Sequence, residues 1–138
     1  MNILFAFLLG WFATSVQQDS WKLCLDRKQL LQTSTEDEQK NILNISTRQL
    51  KKSKQLQLIY SQVEPAKGWE RTISIYDTND QELTTQKGNK FSIKASALSS
   101  LLQQHKTVKF YTLYSPTDPK MKAMVRLRRV HLCTLVLQ

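Results

Sequence analysis

The sequence predicts a mainly β protein, an antiparallel β-sandwich-like domain with one short helix at about residues 97–105, which follows a cleavable signal peptide. Three observations predict this fold class. Short runs alternate apolar and polar residues with the period of a half-buried strand, and turn residues separate them. One stretch has the apolar spacing of a helix, and the chain begins with an uncharged apolar run. A chain of 138 residues supports one core, so we expect a single domain over residues 21–138.

The apolar run covers residues 3–16 and contains no charged side chain. Its length is typical of the core of a signal peptide and is short for a transmembrane helix. Ala13, Thr14 and Ser15 offer the small-residue pattern of a cleavage site. We therefore predict a signal peptide over residues 1–15, cleaved between residues 15 and 20, and a periplasmic or secreted mature chain without a transmembrane segment. The alternative is a buried first strand or helix, whose aromatic residues would need a large covering surface.

The early strands are short. Residues 21–25 alternate, which predicts a strand with one buried face. Residues 32–41 are polar and predict a solvated loop, for which the alternative is a cation site at acidic residues 36–38. We then expect a strand at residues 41–45, a capped helical turn that begins at Ser46, and a strand at residues 55–63.

The clearest strand is predicted at residues 69–76, where Ile73 and Ile75 alternate with polar residues. Weaker strands at residues 82–86 and 90–93 flank a hairpin-type turn, and we expect both to be edge strands.

The predicted helix begins after Ser96, which we expect to be its cap. Its apolar residues Leu98, Leu101 and Leu102 lie on one face at helical spacing. The spacing of Ile93 and Leu98 echoes that of Ile45 and Leu50, each pair lying between predicted strands. The echo is a coincidence or a duplicated unit, and duplication would give connections that cross between two sheets.

The chain ends with two predicted strands joined by a proline-bearing loop. Residues 107–114 are apolar on both faces, which predicts an interior strand covered on each side. In the final run, residues 124–138, the apolar parity changes at Arg128 and Arg129. We expect a bulge there, because one extra residue resets the alternation.

The chain has two cysteines, and disulfides persist in exported proteins. We therefore predict a disulfide between Cys24 and Cys133 that ties the first strand to the last. Closing so long a loop stabilises a protein by about 4–5 kcal/mol in the chain-entropy model. The alternative is two separate buried thiols.

The domain is basic, with 20 Lys and Arg residues against 11 Asp and Glu residues and a net charge of +9. This balance favours anionic partners. The candidate anion-binding residues cluster near the C-terminus: Lys120, Lys122, Arg126, Arg128 and Arg129. A second group comprises Lys51, Lys52 and Lys54. The alternative for the C-terminal cluster is a solubilising surface whose arginines pair with loop acids such as Asp118 or Glu70.

Motifs for chemistry are sparse. The chain has two histidines and three glycines, no Cys-x-x-Cys pair and no glycine-rich phosphate loop. We therefore predict no catalytic, metal-binding or cofactor-binding residues, and a non-catalytic binding or structural module at the cell envelope. One alternative is a binder of polyanions, acidic glycan or nucleic acid, through the basic C-terminal hairpin. The other is a hydrolase with an unrecognised site around His105 or His131.

The C-terminal third, FSIKASALSSLLQQHKTVKFYTLYSPTDPKMKAMVRLRRVHLCTL, resembles the ending of small exported proteins of unknown function from Bacteroidota. The resemblance extends from Trp21 through Trp69, Glu70 and Arg71. It implies a location in the periplasm or outside the cell. Separately, the basic charge leads us to expect an anionic polymer or another envelope protein as the partner. It implies no activity and no functional residue.

Overall fold

The computed structural model describes residues 17–138. The predicted signal peptide lies outside the described residues except at its cleavage boundary. Nine strands form two sheets in the described part of the chain. The first sheet has the order β2-β1-β4-β7 and contains β1 (Ser20–Leu25), β2 (Lys28–Thr33), β4 (Gln55–Ser61) and β7 (Lys90–Lys94). The second has the order β3-β9-β8-β5-β6 and contains β3 (Ile42–Ile45), β5 (Trp69–Tyr76), β6 (Glu82–Lys87), β8 (Thr107–Pro116) and β9 (Val130–Leu137). The prediction of a mainly β protein is confirmed, although β3 and β9 pair in parallel.

One core lies between the sheets. The inward residues of β1, β4 and β5 alternate with outward polar ones, as their sequences predict, and Leu23, Leu58 and Ile73 are completely buried. Phe91 of the first sheet meets Phe110 of the second edge-on, with 5.5 Å between ring centroids. Each such side chain contributes about 1.5–3 kcal/mol through burial, so the shared core holds the sheets together.

Three helices connect the strands between residues 17 and 138: α1 (Thr47–Lys51), α2 (Ala95–His105) and α3 (Pro119–Met124). The prediction of a single helix is therefore wrong. Ser46 caps α1 with a capping box that involves Gln49, as the expected capped turn requires. Asp118 caps α3, whose first residue is Pro119; this proline starts a helix where the sequence predicted only a loop.

The start of α2 differs from its prediction. The backbone N–H of Ala95 donates to the carbonyl oxygen of Lys54 at 2.9 Å, so the helix follows β7 directly. Lys94 occupies the N-cap position and provides no side-chain hydrogen bond. Ser96 lies inside the helix, and its predicted capping role is wrong.

Two of the connections cross between the sheets at the same end of the domain. The chain passes from β3 through α1 to β4, and from β7 through α2 to β8. The two helices contact each other. If the similar spacing of Ile45–Leu50 and Ile93–Leu98 reflected a duplicated unit, connections would cross between the sheets. The connections through α1 and α2 do so. Strands β6 and β7 are edge strands, as predicted, but they belong to different sheets, so the hairpin predicted between them is wrong.

The bulge in the last strand lies further along than predicted. Strand β9 begins only at Val130, and its pairing with β8 shifts between His131 and Cys133. The extra residue is Leu132, which lets both Leu132 and Cys133 enter the core. Arg128 and Arg129 precede the strand and point to acidic residues of loops.

The predicted disulfide is absent, and both cysteines are free. Cys24 is half-buried and alternates with the inward residues of β1, so it lies on the outer face of the first sheet. Cys133 is completely buried in the core, and burial raises the pKa of its thiol. The first and last strands are instead linked by the indole N–H of Trp21, which donates to the carbonyl oxygen of Leu132 at 2.8 Å.

Candidate anion-binding sites

The five C-terminal residues predicted to bind anions fall into two groups. Lys120 and Lys122 lie on α3 and, with Arg126, are exposed. The guanidinium of Arg128 donates to Glu36 at 2.8 Å. The guanidinium of Arg129 donates to Asp80. Two of the five charges are therefore balanced by the chain's own carboxylates, although not by the Asp118 or Glu70 that the sequence suggested.

The guanidinium of Arg129 also packs on aromatic rings at the outer face of the second sheet. Its central carbon lies 4.7 Å from the ring centroid of Tyr76 and 4.1 Å from that of Tyr111. The hydrogen bond with Asp80 raises the pKa of Arg129. Cation–π contacts of this kind stabilise a protein by about 0.5–1 kcal/mol at exposed sites. Arg129 thus fastens the C-terminal segment to the sheet.

The acidic segment that the sequence predicted as a solvated loop covers this same face. Glu36 accepts hydrogen bonds from Arg128 and, at 3.0 Å, from the backbone N–H of His131. The hydroxyl of Tyr111 donates to Glu38 at 3.4 Å. These carboxylates are already bound to a guanidinium and to hydrogen-bond donors of the same chain. We therefore interpret residues 36–38 as a structural segment that covers the sheet, and we call it the strap.

Beneath this strap, His131 is 1% exposed. Its Nε2 lies 2.8 Å from the hydroxyl oxygen of Thr134, and its Nδ1 has no hydrogen-bond partner. Burial lowers the pKa of His131. The other histidine, His105, is half-buried, with its Nδ1 4.0 Å from a carboxylate oxygen of Asp77.

Neither histidine lines the lysine-rich cavity, the groove beside it or the cleft at Tyr76 and Tyr111, which are among the best-formed concavities of residues 17–138. Nor do the described residues bring three metal-ligating side chains together. The hydrolase that the sequence left as an alternative gains no support from these positions.

A stronger candidate for anion binding lies at the end of the domain where the two helical connections meet. There, a cavity of about 330 Å³ opens between the end of α1 and the start of α2. We call it the lysine pocket, and it is lined by Leu50, Lys51, Ser53, Lys54, Lys94, Ala95, Ser96 and Ser99. It thus has three lysines, three serines and no carboxylate.

Strand pairing explains why these residues meet. Strand β4 begins beside the end of β7, with Gln55 opposite Lys94. The hydrogen bond between Ala95 and Lys54 fixes the two segments next to each other. The sequence grouped Lys51 and Lys54 with Lys52, but it gave no sign of Lys94. Only the register between β4 and β7 supplies the third cation.

The lysines of the pocket are unpaired within the described residues, where ion pairs involve only His105, Arg128 and Arg129. Asp26, which lines the adjoining groove, accepts hydrogen bonds from the backbone N–H groups of Lys54 and Gln55 at 3.0 and 3.1 Å. The first turn of α2 carries no acid and adds its own positive potential. The pocket therefore concentrates positive charge.

A broader groove of about 590 Å³ shares the lining residue Lys54 with the pocket. The groove is lined by Asp26, Arg27, Lys54, Gln55 and Gln57. Together, the two concavities form a basic surface that also offers hydroxyl and amide groups for hydrogen bonding.

Arg71 is a buried cation at the end of the domain opposite the lysine pocket. Arg71 is 6% exposed and lies between Tyr60 and Tyr114, at 3.7 and 4.8 Å from their ring centroids. It donates to the hydroxyl of Thr112, whereas its Nε has no hydrogen-bond partner. Burial lowers the pKa of Arg71, and burial together with the hydrogen bond to Asp19 raises the pKa of Tyr60 to about 12. This cluster cross-links the two sheets.

No helix of the described residues is long and apolar enough to cross a membrane. Comparison of the chain with family models, curated proteins and solved structures finds no match.

Proposed function

We propose that this chain is an exported, non-catalytic β-sandwich-like module, periplasmic or secreted, that binds an acidic glycan through the lysine pocket and the adjoining groove. The observation that carries the proposal is the convergence of Lys51, Lys54 and Lys94 on one cavity that no carboxylate lines. The uncharged apolar run at residues 3–16, which predicts a signal peptide, supports the location.

The charge arrangement favours an anionic ligand over a neutral one. Like charges in a shared concavity repel each other, and low-dielectric walls strengthen their field. An anion that enters the pocket replaces this repulsion with attraction to all three ammonium groups. The groove contributes Arg27 on the same side, so successive charges of a polymer can be met.

The lining favours a glycan over a nucleic acid. Proteins that bind single-stranded nucleic acid stack bases on aromatic side chains, and neither the pocket nor the groove is lined by an aromatic residue. Acidic sugars can be bound by ion pairs and hydrogen bonds without an aromatic stacking partner. Ser96 and Ser99 in the pocket, with Gln55 and Gln57 in the groove, provide the hydrogen-bonding groups.

The test uses two variants with the same change of charge. In one, Lys51, Lys54 and Lys94 are replaced by Gln; in the other, Lys120, Lys122 and Arg126 are replaced by Gln. Binding to heparin and to an uncharged glycan is measured by calorimetry and column retention near physiological salt. We expect the pocket variant to lose about tenfold or more in heparin affinity, with a shallower salt dependence, because phosphate-like contacts release counterions. The C-terminal variant should change by about twofold at most.

Each other outcome has a defined meaning. Equal losses in the two variants would show general attraction to a basic protein and would overturn the site. A loss confined to the C-terminal variant would move binding to the hairpin residues that the sequence singled out. Tighter binding to single-stranded DNA than to heparin would replace the glycan with a nucleic acid.

A further inference from the structure

The connection between β8 and β9 carries the most exposed apolar side chain among the described residues. Every residue of α3 is exposed. Met124 is 85% exposed and Met121 is 47% exposed, and their spacing places them on one face of the helix. We call these two residues, with Lys120, Lys122 and Arg126, the methionine tip. Large apolar side chains that nothing covers, inside a polar rim, are typical of an interaction surface.

The tip is distinct from the lysine pocket. Strand β8 begins just after α2 and has ten residues before α3 follows. A strand of that length spans about 30 Å, so the two basic surfaces lie at opposite ends of the domain. Asp118, which caps the helix just before the tip, accepts a hydrogen bond from the backbone N–H of Lys120 at 2.9 Å. None of the tip's cations pairs with a carboxylate in the described part of the chain.

We propose that the methionine tip docks on a membrane surface rich in anionic lipid. The methionines enter the boundary between headgroups and acyl chains, and the three cations contact lipid phosphates. The charge pattern supports this partner, because exposed apolar side chains with exposed cations next to them in the chain match an apolar layer beneath an anionic surface. A soluble polyanion satisfies the cations but gives the methionines no apolar phase. The proposal goes beyond glycan binding, since it uses other residues.

Two contacts show which end of the domain carries the first described residues. The hydroxyl of Tyr60 donates to Asp19, which immediately precedes β1. The loop after β4 reaches the segment before α3, where the backbone N–H of Thr117 donates to the carbonyl oxygen of Gly68 at 2.8 Å. The first described residues therefore lie at the end of the domain that bears the tip.

Methionine oxidation tests the proposal on the whole chain. Exposed methionines are converted to sulfoxides by hydrogen peroxide, and mass spectrometry measures the rate at each site. Vesicles of phosphatidylglycerol and phosphatidylethanolamine should slow oxidation of Met121 and Met124 about fivefold or more, whereas phosphatidylcholine vesicles should not. Replacing Lys120, Lys122 and Arg126 with Gln should abolish the protection. Replacing Lys51, Lys54 and Lys94 with Gln should leave it intact.

The readout separates tip docking from other attachment. If the chain sediments with anionic vesicles while both methionines oxidise at their free rates, attachment occurs elsewhere and the proposal fails. Equal protection by phosphatidylcholine, or by heparin without vesicles, would also overturn it. Loss of heparin binding in the pocket variant has no bearing on methionine protection, so the two proposals fail independently.

Discussion

The two basic regions differ in what their charges contact. Arg128 and Arg129 are adjacent in the sequence, and each meets a carboxylate of the chain, Glu36 and Asp80. The lysines of the pocket come from two segments about forty residues apart and meet no carboxylate in the described residues. Clustering in the sequence therefore did not indicate which cations are unpaired, since Lys120, Lys122 and Arg126 of the same cluster have no ion pair in the described residues. The fold pairs Arg128 and Arg129 with carboxylates and brings three unpaired lysines together in the lysine pocket.

The largest expected effect comes from the apolar floor of the lysine pocket. Leu50 is 2% exposed, is the buried residue of α1, and lines the pocket. Leu50→Ala should lower the free energy of unfolding by about 2–5 kcal/mol, because it leaves a cavity between α1 and the core. Denaturant titration measures this loss, and heparin affinity should fall with it under conditions where the variant is folded.

The matched control for this substitution lies in the other basic region. Met124→Ala removes an apolar side chain that is 85% exposed, so its effect should stay within about 0.5 kcal/mol. If both substitutions destabilised the protein equally, α3 would be packed and not projecting. If neither did, the pocket would lack a rigid floor.

The second prediction concerns the strap over the outer face of the second sheet. Burial lowers the pKa of His131 in the folded protein, so below about pH 6.5 the unfolded chain binds a proton that the folded chain does not. The stability contributed by neutral His131 is thus complete above that pH and is lost as the pH falls towards the folded pKa, by about 1.4 kcal/mol per unit of pKa shift.

The measurement is the free energy of unfolding between about pH 8 and pH 5. His131→Gln should flatten the profile, whereas Thr134→Ser, which keeps the hydroxyl beside Nε2, should retain it. The charges of Glu36, Glu38 and Lys109 also shift the pKa of His131. Added salt should therefore change the dependence of the unfolding free energy on pH modestly. An unchanged profile in His131→Gln would assign the pH dependence to other groups.

The third prediction tests whether the paired arginine stabilises the fold. Arg129→Gln should cost about 1 kcal/mol, because it removes an ion pair with Asp80 and contacts with two aromatic rings. A double-mutant cycle with Asp80→Asn isolates the ion pair, for which we expect a coupling of about 0.2–1 kcal/mol. Zero coupling together with a large single-variant loss would assign the stabilisation to Tyr76 and Tyr111.

The comparison also shows how far the sequence predicts this protein. Strand β5 was predicted with its observed bounds because Ile73 and Ile75 alternate with polar residues, and that signal is local. Strand β2 was missed, since Leu30 and Leu31 are adjacent and give no alternation. The start of α2 was misplaced because a backbone hydrogen bond from another strand fixes it.

The sites were harder to predict, because they depend on sheet assignment and register. Cys24 shares the parity of the outward Lys22 in β1, but the sequence does not tell which sheet β1 or β9 joins, so the disulfide was predicted wrongly. Lys94 reaches the lysine pocket only through the pairing of Gln55 opposite it. Local alternation predicts strands, whereas these contacts require long-range pairing.

The smallest predicted effect is a gain in the free energy of unfolding when the pocket lysines are removed, whereas removal of Arg129 causes a loss. Replacing Lys51, Lys54 and Lys94 with Gln should raise the free energy of unfolding by a few tenths of a kcal/mol at low salt, because like charges repel each other in the empty pocket. The gain should vanish at about 1 M salt, where the screening length is about 3 Å. Arg129→Gln should destabilise the protein under both conditions, since its aromatic contacts are not screened. If the lysine variant were destabilised at low salt, the pocket lysines would have partners within the protein, and the case for an anionic ligand would fail.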